Sequence, residues 1–67
     1  MDFVLTEDYI ELIRLLKTTR LAESGGQAKL IVENGDVRRN GQPEFRKRAK
    51  IRKGEVITVN GQTIYIK

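Results

Sequence analysis

The chain has 67 residues, no cysteine, no histidine and a net charge of +4. That length gives one small domain, residues 1–67, with a modest core, and the missing residue types remove disulfides, cysteine or histidine nucleophile and base pairs, and the common zinc ligand sets. The apolar runs fall far short of the ~20 residues that cross a bilayer, and the start MDFVLTED lacks a basic, apolar leader, so a cytoplasmic protein with no metal, cofactor, small-molecule substrate or membrane partner is expected.

In chain order, Phe3-Val-Leu5 reads as a short strand. Thr6-Glu-Asp then supplies a cap-type residue and two carboxylates that suit the positive end of a helix dipole. Tyr9, Leu12, Ile13 and Leu16 follow at helical spacing, which predicts an apolar stripe from this first helix into the core. Lys17 and Arg20 end its opposite face, and residues 18–23 turn the chain. Ser24 and Gln27 form a Ser-x-x-Gln capping box for a second helix, buried through Ala28, Ile31 and Val32. Asn34-Gly35 supplies the left-handed residues that stop it.

The remainder reads as β structure. Arg39-Asn-Gly-Gln42 and Val59-Asn-Gly-Gln62 are both two-residue hairpin turns, and Pro43 confines its segment to an edge strand or loop. Lys53-Gly-Glu55 is a third turn. In the last hairpin Ile57 and Val59 are expected to pair with Ile64 and Ile66 on one face, with Thr58, Thr63 and Tyr65 on the other. The fold class is therefore α+β: a two-helix hairpin on a small, mostly antiparallel sheet.

Charge is divided unevenly along the chain. Residues 1–36 hold four basic and seven acidic side chains, whereas residues 37–67 hold nine basic and two acidic. The run Arg46–Lys53 contains six of those nine, the density that marks a polyanion-binding surface. A solvated strand edge guarded by cations is the other reading of such a run. Arg46, Lys47, Arg48, Lys50 and Arg52 are the candidate phosphate contacts, with Lys17, Arg20, Lys29 and Arg38 as a second contribution from the helical side. Strand alternation places Lys50 and Arg52 on one face, opposite Ile51.

Gly25 and Gly26 take the first two positions of the second helix, where amide hydrogens lack intrahelical partners. A phosphate can approach bare backbone there, assisted by Lys29; the glycines equally fit close helix packing or the turn itself. Of the four aromatics, Phe3, Tyr9, Phe45 and Tyr65, the first two are assigned to the core and Phe45, beside the basic run, to a core or hinge role, which leaves too few for a base-stacking surface. The mechanism that remains is recognition of shape and phosphate geometry.

Taken together, Leu15-Leu16, Leu21-Ala22, Ser24, Ala28-Lys29, Ile31, Gly35, Val37, Asn40-Gly41, Lys53-Gly54-Glu55 and Val56-Ile57 resemble, in their spacing, the RNA-binding domain family named after small-subunit ribosomal protein four, whose fold is the αL motif. The Ser-Gly-Gly-x-Ala-Lys form is similar to the short stand-alone bacterial members. The resemblance covers Thr6 to Lys67 and implies a ribosome-associated monomer that grips structured RNA, ribosomal or transfer, between the helical hairpin and the sheet. Many members carry arginine where this chain has Gly25 and Glu11, so no contact is carried over to those side chains. An enzyme finds no support, since Ser24 is used as a cap and the carboxylates lack partners at catalytic spacing. A protein module that docks its basic surface on an acidic partner is the main alternative, and charge alone does not separate RNA from DNA.

Overall fold

The computed structural model describes residues 1–67. Its elements are β1 (Asp2–Phe3), β2 (Ile10–Glu11), α1 (Leu12–Thr18), α2 (Gly25–Glu33), β3 (Val37–Arg39), β4 (Gln42–Pro43), β5 (Lys50–Ile51), β6 (Val56–Val59) and β7 (Gln62–Ile66). One sheet has the order β1-β7-β6-β3-β4, and β2 and β5 form a separate antiparallel pair. Only β1 on β7 is parallel. The architecture is a helical hairpin on a mostly antiparallel sheet.

Both hairpins close on two residues with positive φ, Asn40 (52°) with Gly41 (85°) and Asn60 (48°) with Gly61 (84°). That conformation matches the right-handed twist of the flanking strands. Asn40 is tied further, since its Oδ1 accepts from the Val56 N–H at 2.9 Å and its Nδ2 donates to Glu55 Oε1 at 3.2 Å. In the β6–β7 hairpin Ile57 stands opposite Ile64, as expected, but Val59 faces Gln62. Ile66 runs past the end of β6, on the same buried face, and donates its N–H to the Glu55 carbonyl.

The second helix begins as its cap dictates: Ser24 Oγ accepts from the Gln27 N–H at 3.1 Å. The Gln27 side chain reaches back to the N–H of Glu23, one residue earlier than the standard box. At the other end only Gly35 is left-handed, at φ 80°, while Asn34 stays right-handed helical. Gly35 N–H donates to Val32 and Asp36 N–H to Ile31, a Schellman closure that satisfies two terminal carbonyls.

The first helix does not begin at Thr6. Ile10 and Glu11 are extended and pair with Ile51 and Lys50, which buries Ile10 beside Ile51. The helix starts at Leu12 with no side-chain cap. Its first two amides are satisfied from a distance instead: Leu12 N–H donates to the Ala49 carbonyl at 2.9 Å and Ile13 N–H to that of Lys47 at 3.1 Å. The buried stripe is accordingly Leu12, Leu15 and Leu16. Tyr9 is excluded from it and exposed, because the chain is no longer helical where that residue sits.

The core joins these helical leucines with Ala28 and Val32 to Val37, Ile57, Ile64 and Ile66 of the sheet. Phe45 is outside it: the residue is 60% exposed and rests an edge of its ring on Gly35, where a Cβ would lie 3.1 Å from Phe45 Cε1. No helix is long and apolar enough to cross a membrane.

Candidate functional site

The cationic run is not a strand over its length. Only Lys50 and Ile51 are extended, and residues 44–49 form a loop whose Ala49 is buried under α1. Short sequence separation from Pro43 and the demand for carbonyls at the start of α1 hold this segment out of the sheet. The loop is nevertheless strongly fixed, and the residue that fixes it is Arg39.

Along β3, Val37 points inward, Arg38 outward and Arg39 inward again. A guanidinium on the inward side needs partners, and it has them. Arg39 meets Glu55 in a two-pronged pair, Nε to Oε1 and Nη2 to Oε2 at 3.0 Å, and Nη1 reaches Glu44 Oε1 at 3.2 Å. Nη2 also donates to the Lys50 carbonyl at 2.7 Å. Glu55 Oε2 in turn accepts the Arg52 N–H at 2.7 Å, and Glu44 Oε2 accepts from the Arg46 N–H and Nε. Both acids of the second half of the chain are thus spent on the backbone and cations of one loop.

The electrostatic consequence is a pair of carboxyl groups held below their usual range. For Glu44 the Arg46 guanidinium is the main cause, with the Arg46 N–H and Arg39 adding to it against partial burial. For Glu55 it is the Arg39 guanidinium, again opposed by burial and helped by the Arg52 N–H. The same bonds raise Arg39 further above its ordinary range.

On this frame the loop presents a groove of about 470 Å³ walled by Arg39, Arg46, Arg48, Ala49, Lys50 and Arg52. It brings together four of the five candidate contacts in the basic run. Arg46 and Arg48 extend into solvent, with side chains 75% and 81% exposed, while pairing with Glu44 and Glu11. Lys47 turns away from the groove to Glu33 at the end of α2, at 3.1 Å.

Lys17 and Arg20 line a different recess with Ala22 and Glu23. Arg20 adopts φ 64°, the left-handed position that glycine usually takes after a helix, with its N–H on the Lys17 carbonyl. The Lys17 side chain lies against the start of α2, its Cδ 4.0 Å from where a Cβ on Gly25 would stand. Lys29 is one turn further along α2 on the same side as Gly25. A Cβ on Gly26 would meet nothing nearer than Ser24 Oγ at 3.8 Å, so neither glycine is required by close packing of the helices. Arg38 does not join the helical side: in register with Thr58 and Pro43, it faces away from the core on the far side of the sheet.

Two features escaped the sequence. Alternation from Val37 signals Arg39 as an inward charge, and the scarcity of acids after residue 36 marks Glu44 and Glu55 as its partners. Tyr9 carried no such signal. Its ring stands beneath Lys50 Nζ and Arg52 Cζ, 5.0 and 5.7 Å from the centroid. No group of three or more acidic side chains is arranged to hold a metal ion.

Comparison with known proteins agrees with this fold. The family model for the S4 domain matches residues 3–67. The Escherichia coli (strain K12) protein named "Putative RNA-binding protein YbcJ" is 38% identical over 58 residues, 87% of this chain and 83% of its own length. YbcJ of Shigella flexneri matches with the same figures. The solution structure of Escherichia coli YbcJ, described as an αL motif involved in RNA-binding, superposes with a TM-score of 0.75 at 36% identity, covering 97% of this chain and 84% of that one. The 30S ribosomal protein S4e of Thermoplasma acidophilum shares the fold, with a TM-score of 0.73 at 22% identity over 87% of this chain and 31% of that one.

Proposed function

The chain belongs to the S4 domain family, and on that premise we propose that it is a non-catalytic RNA-binding protein in which residues 1–67 act as one αL unit on structured RNA. The observation that carries this reading is the groove formed by Arg46, Arg48, Lys50 and Arg52 on a loop locked by Arg39. A loop already fixed in place loses little conformational freedom when it binds, so its charge is directed rather than merely concentrated. Lys17, Arg20, Lys29 and the free amides of Gly25 and Gly26 supply a second set of phosphate contacts at the end of the helical hairpin.

The ion pairs of the loop are compatible with this role. Arg46, Lys47 and Arg48 are held by Glu44, Glu33 and Glu11. Each of the three cations is open to solvent, and the Lys47 and Arg48 pairs are exposed on the carboxylate side as well, so solvent screens them and a phosphate is able to take the carboxylate's place. Glu44 keeps Arg39 when Arg46 leaves. Folded RNA of the ribosomal or transfer type, in the cytoplasm and with a monomeric protein, is the setting this mechanism fits.

The test is a binding isotherm on a structured ribosomal RNA fragment for the wild type and for the Arg46→Ala, Lys47→Ala, Arg48→Ala variant. Affinity is expected to fall at least tenfold, and the slope of log K against log salt to shrink by about two to three, close to 0.9 per lost phosphate contact. An unchanged slope refutes the site.

A further inference from the structure

The exposed β2–β5 ladder gathers one aromatic ring and two cations that no part of the fold requires. Its register pairs Ile10 with Ile51 and Glu11 with Lys50, so Tyr9 comes opposite Arg52 and all of Tyr9, Lys50 and Arg52 share the outward face while Ile10 and Ile51 are buried. Tyr9 is 38% exposed, outside the core, and its ring carries both cationic groups. Arg46, Lys47 and Arg48 all have carboxylate partners; Lys50 and Arg52 form no ion pair. The backbone of both positions is held, since Arg39 donates to the Lys50 carbonyl and Glu55 accepts from the Arg52 amide.

The ring lies on a boundary between a cationic surface and one that carries carboxylates. On one side is the cationic groove. On the other is a recess of about 500 Å³ that Tyr9 lines together with Glu7, Asp8, Glu11, Arg14 and Arg48. Glu7 pairs there with Arg14 and Glu11 with Arg48, while Asp8 has no ion pair, and carboxylates of this kind accept hydrogen bonds from the amino and ring N–H groups of a base. Lys50 and Arg52 have the opposite preference.

Resting on the RNA-binding reading, we propose that Tyr9, Lys50 and Arg52 form a site for one unpaired nucleotide of a structured RNA. The base stacks on the Tyr9 ring in place of the two cations that stand over it, with its edge toward Glu7, Asp8 and Glu11. The adjoining phosphate draws the Lys50 ammonium and the Arg52 guanidinium off the ring. The Arg52 plane is itself able to stack on the base. This adds a local preference for unpaired positions to an otherwise shape-driven interface, since base stacking on an aromatic ring is sequence-tolerant but needs an exposed base.

The experiment uses two RNA stems of equal length and charge density, one fully paired and one with a single bulged 2-aminopurine, against wild type, Tyr9→Phe, Tyr9→Leu and Lys50→Met with Arg52→Met. Wild type and Tyr9→Phe are expected to bind the bulged stem about tenfold more tightly than the paired one, with a change in 2-aminopurine fluorescence. Tyr9→Leu is expected to lose that preference and the fluorescence change while holding the paired stem as before. The double methionine variant weakens on both stems. Circular dichroism melts confirm folding of each variant. Equal binding of the two stems by wild type, or a preference that survives Tyr9→Leu, overturns the nucleotide site and leaves RNA binding intact. Failure of wild type to bind either stem at low salt overturns both.

Discussion

Arg39 is the side chain on which most of the loop geometry converges, and its removal separates structural from contact roles. Arg39→Met leaves Glu44 and Glu55 without their shared partner and the Lys50 carbonyl without its donor. Breaking such charged, partly buried bonds costs about 2–3 kcal/mol, to be read as a lower urea midpoint at unchanged slope. The same network sets the acid stability. Glu44 and Glu55 have carboxyls depressed below the ordinary value of 4.5, so their contribution is complete above that pH and is lost as pH falls toward the folded values. The unfolding midpoint is expected to drop below about pH 4.5, and Glu55→Gln is expected to lower stability at pH 7 while flattening the dependence. Gly35→Ala probes a backbone limit, since φ 80° and a Cβ 3.1 Å from Phe45 both oppose it; a loss of about 1 kcal/mol or more is expected. The residue scale was read least well from sequence. Tyr9 falls at helical spacing with Leu12, Ile13 and Leu16, and nothing local reveals that the helix begins only at Leu12, after the short strand Ile10–Glu11.

The two helices show why one boundary was legible and the other was not. The second helix carries its own signals, Ser24 at one end and Gly35 at the other, and runs between them. The first is capped by carbonyls of Lys47 and Ala49, more than thirty positions away, so Thr6-Glu-Asp, an ordinary local start signal, loses to a remote one. Ser24→Ala is expected to cost about 1 kcal/mol by chemical denaturation. The paired glycines behave oppositely. Both have helical geometry, and a Cβ would make only ordinary van der Waals contact at either position, so Gly25→Ala with Gly26→Ala is expected to stabilise the protein by roughly 1 kcal/mol in all. A weaker grip on RNA by that more stable variant identifies bare backbone at the helix start as a contact; unchanged affinity assigns the glycines to the turn alone. The hairpins were legible for a related reason, because Asn-Gly is a local instruction that no distant contact overrides.

For the whole molecule the division of charge becomes a division of surface. The first half supplies Glu11 and Glu33, which tether Arg48 and Lys47 of the second, and the second half keeps its own acids beneath the loop. What faces solvent around the groove is therefore positive although both signs are present in the fold. The order of elements and the concentration of charge at residues 46–53 were visible in the sequence, whereas the direction of each cation was not, since Lys47 and Arg38 leave the groove through contacts and register that only the assembled sheet defines. If about four to six phosphates are engaged, affinity falls roughly a hundredfold or more between 50 and 200 mM salt. The most direct measurement is a competition titration of labelled, folded ribosomal RNA against duplex DNA of equal charge at those two salt concentrations. Retention of the RNA in excess DNA, with that steep salt response, is the expected result; equal displacement by DNA, or no binding of either polymer at low salt, contradicts the account.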